Sequence, residues 1–286
     1  MAGWYALADL LLPPACAVCR SPHDARVVTP GGRHREDRPD EIVREIVCGV
    51  CLGRVVPLPQ PQCRRCGHPR LSLAAPLPAG TAPTGAPDSL PPCRWCARLP
   101  SHVRAVRSAC RMDEGTGSAL VHALKYNGWS AVAAPMARLM ARADFPDDVV
   151  AERVAVVPVP LAAARLRERG FNQAERLARA VAAHWALPVW HDVVHRARAT
   201  RSQVRLTPSE RAGNVSHAFV AASSARSRLS GAHLVLVDDV ITTAATLNAV
   251  AGALVDGGAR ICSYLTFGRA PEPGDRTDPD LAFDQD

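Results

Sequence analysis

Eight cysteines fall in four Cys-x-x-Cys pairs within the first 96 residues: Cys16/Cys19, Cys48/Cys51, Cys63/Cys66 and Cys93/Cys96. No other feature limits the fold as tightly. Two thiolates two residues apart grip one metal from a tight turn. A second such turn completes a tetrahedral set of four sulfurs, the set that Zn²⁺ takes in structural sites. The gaps between the pairs are 28, 11 and 26 residues. This reads as a repeated unit of pair, long spacer, pair, joined by a short link. The spacing favours consecutive pairing, with Cys16, Cys19, Cys48 and Cys51 on one ion and Cys63, Cys66, Cys93 and Cys96 on the other. An interleaved cross-brace is the alternative. With all four positions supplied by protein, no place remains for water, so two structural zinc ions are expected to contribute folding energy to this region. Iron–sulfur ligation and thiol redox chemistry are the competing readings of the same pairs.

The two long spacers do not look like core. One is polar and rich in His, Arg and Pro; the other contains "PLPAGTAPTGAPDSLPP" with no apolar period. Both read as loops tethered by metal. Eight thiolates suffice for two ions, so His23, His34, His68 and His102 are expected at the surface. Cys110 and Cys262 stand alone in apolar segments and read as small buried residues. The opening "MAGWYALADLLLPPAC" has no basic residue before its apolar stretch, and Asp9 interrupts it. It fits a short amphipathic helix better than a targeting signal. No stretch reaches membrane-spanning length, and a cytoplasmic protein without membrane insertion is expected.

After Cys96 the pattern changes to strands alternating with helices. Strands are expected over His102–Met112, Arg153–Pro160, Val189–Arg198, His233–Asp239 and Arg260–Gly268. Helices are expected over Ser118–Gly128, Ala133–Ala143, Asn172–Ala186 and Thr246–Ala259. Such alternation predicts an α/β domain, a parallel sheet flanked by helices. In such sheets ligands bind outside the carboxyl ends of strands. Pro158-Val159-Pro160 lies at one such end and Asp238-Asp239 at another.

The stretch "LVLVDDVITTAAT", Leu234 to Thr246, carries the chemistry. Its loop leads from a strand into a helix N-terminus, where unpaired N–H groups and the helix dipole suit a phosphate monoester. Thr242, Thr243 and Thr246 add hydroxyl donors, with Ala244 and Ala245 between them. Asp238 and Asp239 make sense beside a phosphate if the ligand is a sugar phosphate. They would accept hydrogen bonds from ribose hydroxyls, help organise a Mg²⁺-bound diphosphate, and favour an oxocarbenium-like transition state. They are the candidate catalytic pair.

These thirteen residues resemble the phosphoribosyltransferase signature. Upstream, "LVHALKYNG" (Leu120–Gly128), "VVPVPLAAARLRERGFNQAERLARAVA" (Val156–Ala182) and "RARATRSQVRLTPSERAGNVSHAF" (Arg196–Phe219) resemble the ComF family of competence proteins, also called ComFC-like. Its zinc-binding front end is similar to the cysteine pairs here. The resemblance implies a type I phosphoribosyltransferase-like sheet preceded by a small double zinc-ribbon module. It implies that Asp238 and Asp239 face a ribose, that Thr242 to Thr246 hold its 5′-phosphate, and that Pro160 and Leu161 meet the pyrophosphate. Arg196 to Asn214 would correspond to a lid, with Arg198, Arg201 and Gln203 touching the ligand. Arg165 and Arg169 follow the pyrophosphate loop, one turn apart if helical, where they would meet a polyphosphate, nucleic acid or solvent, and Arg165 is a candidate ligand-binding residue. Family members more often have Gly at position 244. If that peptide needs φ > 0, Ala costs about 1 kcal/mol or more.

Domains are expected over 1–100 (helix and zinc ribbons), 101–270 (phosphoribosyltransferase-like) and 271–286 (acidic tail). The net charge is +7. Ten Arg against four acidic residues from Arg165 to Arg211 leave that segment at +6, which suits an anionic partner or solvent alike. The chain has a single lysine, Lys125, against 33 arginines. Two functions follow: a protein that binds phosphoribosyl diphosphate, or a related ribose phosphate, with Mg²⁺ and transfers phosphoribosyl to an unidentified acceptor; or a non-catalytic adaptor in DNA uptake that binds single-stranded DNA or competence proteins.

Overall fold

The computed structural model describes residues 15–22, 26–28, 42–44, 46–70, 93–112, 115–126, 130–196 and 218–271. The expected amino-terminal helix, most of the two spacers with His23 and His34, the run through Arg198, Arg201 and Gln203, and the acidic tail lie outside the described residues. In chain order the elements are β1 (Arg26–Val28), β2 (Ile42–Arg44), α1 (Gly49–Gly53), β3 (Val103–Arg111), α2 (Thr116–Tyr126), α3 (Ala133–Ala141), α4 (Asp147–Glu152), β4 (Arg153–Pro158), α5 (Ala163–Arg169), α6 (Gln173–Trp185), β5 (Val194–Arg196), β6 (Phe219–Ala221), α7 (Arg226–Leu229), β7 (His233–Ile241), α8 (Ala245–Asp256) and β8 (Ile261–Arg269).

Four strands form one sheet in the order β3-β8-β7-β4, parallel at every pairing. Successive side chains alternate between two apolar layers, as a sheet covered on both faces requires. On one side Leu234, Leu236, Cys262 and Tyr264 pack against Leu247, Val250 and Leu254 of α8. On the other, Val235, Val237, Leu265 and Phe267 pack against α2, α3 and α6 through Leu120, Met136 and Leu177. Cys110 and Cys262 are fully buried in these layers. No described helix is long and apolar enough to cross a membrane.

The segments that carry the cysteine pairs straddle the outer edge of β3. Residues of the first cysteine set, Cys16 and Cys51, join the layer that holds Ala105 and Cys110. Cys63 and Cys66 of the second set join the opposite layer, with Val103 and Val106. Between them the chain bonds directly to β3. The Val106 N–H donates to Arg65 O at 2.7 Å and the Arg111 N–H to Val56 O at 3.0 Å. Three guanidinium groups reinforce the seam through main-chain carbonyls. Arg65 Nε donates to Val103 O, Arg107 Nη2 to Arg64 O, and Arg269 Nη2 to Cys66 O. An edge strand otherwise presents unpaired N–H and C=O groups to any other chain; here the cysteine-rich segment covers it.

Three expectations need correction. The strand carrying the acidic pair does not stop at Asp239. It continues to Ile241 because β8 is also nine residues long and pairs with Asp238, Val240 and Ile241 through Thr266, Gly268 and Arg269. The Val189–Arg198 strand shrinks to β5. Val189 makes only an isolated bridge to Val156, and β5 turns away to pair antiparallel with β6. His68 is not at the surface. Its carbonyl accepts from Cys63 N at 2.9 Å, which draws the 5%-exposed ring under Trp95, 4.5 Å between centroids.

Candidate functional site

The eight paired cysteines gather as Cys16, Cys19, Cys48, Cys51 and as Cys63, Cys66, Cys93, Cys96, the sulfurs of each set within 4.8 Å of one another. This is the serial arrangement. A zinc–sulfur bond of about 2.3 Å places tetrahedral sulfurs roughly 3.8 Å apart. The separations Cys19–Cys48 of 3.8 Å, Cys63–Cys96 of 3.6 Å and Cys66–Cys93 of 3.5 Å match that edge. They are far from a disulfide, and all these cysteines are free. Backbone N–H groups already point at sulfur: Cys48 N to Cys16 Sγ at 3.3 Å and Cys51 N to Cys48 Sγ at 3.4 Å. Hydrogen bonds from Ser21 bring the Cys19 thiol down to about 6. At Cys63 burial acts upward, but the N–H groups of Cys66 and Arg65 bring it to about 7. One thiol of each set is therefore readily deprotonated. The donor sets fit two structural zinc ions.

The second cluster also reaches the threonine loop. Cys66, Trp95 and Arg98 line one small cavity together with Thr242, Thr243 and Ala244. Asn248, in the second turn of α8, donates to Arg98 O at 2.8 Å and accepts from the Tyr264 hydroxyl at 3.0 Å. Sequence reasoning found no cation on this loop. Arg98 arrives from the cysteine-rich segment, which no local pattern announces.

Strands β4 and β7 end side by side. The Val159 N–H donates to Val237 O at 3.0 Å, so the chain leaves toward Pro160 and Leu161 beside Asp238. The Arg169–Gln173 block secures this exit. Gly170 closes α5 in the left-handed conformation, φ 79°. Asn172 then caps α6 by accepting from Ala174 N, and its amide donates to Val159 O, both at 3.0 Å. Gln173 is buried and accepts from Arg169 Nη1 at 2.6 Å. This block anchors the start of α6 to the chain leaving β4. Arg165, by contrast, pairs with Glu168 at 2.8 Å on a helix with no buried residue.

At the end of β7 the acidic side chains bend back onto their own backbone. Asp238 Oδ1 accepts from Asp239 N at 2.8 Å, and Asp239 Oδ1 accepts from Val240 N at 3.0 Å. Asp239 is buried, and its other oxygen, Oδ2, lies 2.5 Å from Lys125 Nζ. Burial, then the neighbouring Asp239 charge, pushes the Asp238 carboxyl well above the usual carboxylate range; Lys125 acts in the opposite direction. The pair is a poor cage for a divalent cation, because Asp239 has its outer oxygen on an ammonium group and Asp238 retains one oxygen.

Beyond Ile241, Thr242 and Thr243 are exposed and Ala244 is buried. Ala244 has φ 63° and ψ 5°, and no side chain caps the N-terminus of α8 there. The left-handed peptide that glycine would favour is present, held by alanine. Ala245 and Thr246 form the exposed first turn. Asp238 and the uncapped start of α8 thus lie toward the same end of β7, while Asp239 turns to Lys125 on α2.

No family model matches the chain. The chain is 33% identical over 221 residues to a DNA utilization protein, YhgH, of Salmonella typhi, across 74% of this chain and 86% of that protein. It is 36% identical over 100 residues to Competence protein F of Haemophilus influenzae, across 35% of this chain and 43% of that one. Among solved structures, the glutamine phosphoribosylpyrophosphate amidotransferase from B. subtilis, complexed with ADP and GMP, aligns at 19% identity and a TM-score of 0.31, over 46% of this chain and 26% of that chain.

Proposed function

The chain belongs to the ComF family, and on that premise we propose that it binds phosphoribosyl diphosphate, or a related ribose 5-phosphate, between the ends of β4 and β7. The 5′-phosphate sits at the uncapped start of α8, within reach of Thr242, Thr243, Ala245 and Thr246. Asp238 receives the ribose hydroxyls. Pro160 and Leu161 face the diphosphate, with Mg²⁺ riding on the ligand's own phosphates. In a transferase reaction the crevice contributes positioning and negative charge near the anomeric carbon, and no nucleophile from the protein is needed. Arg198, Arg201 and Gln203 belong to the segment proposed to close over the ligand.

The observation that supports this most is the coincidence of the acidic pair with the uncapped α8 N-terminus, at the carboxyl ends of adjacent parallel strands. Ligands of open α/β sheets bind at such ends. The names of the relatives favour a second reading, an adaptor in DNA uptake that binds single-stranded DNA or partner proteins. Calorimetry separates the two. Phosphoribosyl diphosphate with Mg²⁺ is expected to bind, and Asp238→Asn combined with Asp239→Asn to abolish the heat. Absence of binding at millimolar ligand would remove the first reading and leave the adaptor.

A further inference from the structure

We infer that Lys125 is a positioning residue that balances the charge of Asp239, so that the ribose phosphate part of the ligand binds without a metal ion on the acidic pair. The inference rests on the proposed ligand class, and three observations carry it. Two consecutive carboxylates occupy a strand end, one buried and one half-buried, where a net charge of −2 is unfavourable. A cation stands at contact distance from one of them, Lys125 Nζ at 2.5 Å from Asp239 Oδ2. It projects from the last turn of α2, where the helix dipole also favours positive charge.

The choice of lysine follows from the geometry. Asp239 Oδ1 already accepts from Val240 N, so a single oxygen remains. An ammonium group is a compact point charge that can use one oxygen. A guanidinium fork is built to take two. In a chain with 33 arginines and one lysine, the lysine stands where one carboxylate oxygen is left for a cation. Tyr126, the next residue, lies under the Arg169 guanidinium at 5.3 Å, which ties the end of α2 to the Arg169–Gln173 block. With Asp239 held by Lys125, Asp238 is left to accept hydroxyl groups.

The test uses ribose 5-phosphate, which lacks the diphosphate that would carry a metal by itself. Binding to the full-length protein is measured by calorimetry in chelator and in millimolar Mg²⁺. Wild type is expected to change less than about twofold between the two, while Lys125→Met weakens about tenfold in chelator and recovers in Mg²⁺. Lys125→Arg, which keeps the charge, is expected to weaken binding as well. Asp239→Asn in the Lys125→Met background removes the need for Mg²⁺. A structural role alone would give no rescue by metal. In wild type reductively ¹³C-methylated at its lone lysine, the Lys125 resonance is expected to stay in place on adding Mg²⁺ and to shift in Asp239→Asn. Wild-type binding that requires Mg²⁺, or Lys125→Met binding as wild type does in chelator, overturns the inference. If wild type binds neither ribose 5-phosphate nor phosphoribosyl diphosphate with Mg²⁺, the proposed function falls, and Lys125 is judged on Mn²⁺ alone by electron paramagnetic resonance. A gain of about tenfold in Mn²⁺ affinity in Lys125→Met sustains the charge-balancing role, and no gain overturns it.

Discussion

Gly67→Ala measures how much stability depends on the contact between the cysteine-rich segment and β3. Gly67 has φ 66°, and a Cβ built on it would overlap the carbonyl oxygen of Val106. Gly170 supplies the control, because it has φ 79° and nothing within 4 Å of a built Cβ. At both positions alanine meets the left-handed penalty of about 1–2 kcal/mol, reduced by about 0.4–1 kcal/mol through the stiffer unfolded chain. Gly170→Ala should therefore cost about 1 kcal/mol. Gly67→Ala must also push the turn off the strand. That breaks the 2.7 Å bond from Val106 N to Arg65 O. It also strains the guanidinium bonds of Arg107 to Arg64 O and of Arg269 to Cys66 O. At about 1 kcal/mol for a neutral bond and more for charged donors, the added loss is about 2–4 kcal/mol. The total is about 3–5 kcal/mol, a large part of a typical folding free energy. Urea unfolding at fixed zinc reads it directly, and a chain of this size should lose about 2–4 °C of Tm per kcal/mol. The zinc content should not change, since no ligand is touched. Equal losses for Gly67→Ala and Gly170→Ala would refute the reasoning.

Three further outcomes are expected. Asp238→Asn removes a carboxyl that burial and Asp239 disfavour as an anion, so scanning calorimetry at neutral pH should show a higher Tm alongside lost ligand binding; a drop in Tm would contradict the repulsion. His233 is buried at the opposite end of β7, with its ring on Ser263 at 2.9 Å and Glu152 at 3.4 Å, and burial lowers its pKa below the ordinary 6.5. The unfolded chain then takes the proton first, so stability should fall as pH drops below 6.5, by at most about 1.4 kcal/mol per unit. His233→Gln should flatten that slope, and an unchanged slope would assign it to other groups. Metal analysis of protein purified without chelator should find two zinc ions per chain, and stripping them should cause self-association visible by light scattering as β3 loses its cover; a stripped chain that stays monomeric would count against the edge-covering role.

The cysteine sets were legible in the sequence because metal-ligand spacing is local. The parallel sheet was legible because apolar runs and helical periods alternate. The acidic pair and the threonine loop were legible as a motif, but not the sign of φ at Ala244, which is a property of the folded backbone. The position of the cysteine-rich segment was not legible. Its grip on β3 runs through main-chain groups of Val56, Arg64, Arg65 and Cys66, which leave no side-chain pattern. The Lys125–Asp239 pair joins residues distant in sequence, and the only hint was the rarity of lysine. The Arg169–Gln173 block stood out as a motif, yet its work is architectural: a helix end, a cap and a tether to Val159. Strand lengths were misjudged where pairing partners decide them, as at β5 and at the end of β7.

The edge position of β3 has a consequence for how the chain is made. Its pairing partner β8 comes last in the sheet, and the hydroxyls of Ser108 and Thr266, which meet across the two strands at 2.7 Å, are 158 residues apart. At about 5–20 residues per second, a ribosome that has finished β3 needs roughly 10–30 s to deliver β8. Throughout that interval one side of β3 lacks its neighbour. The other side already has its cover, because the two cysteine clusters and the turn between them are synthesised first. The two sets of thiols thus come early in the order of assembly, and the cysteine-rich segment is in place as a guard for a strand that waits.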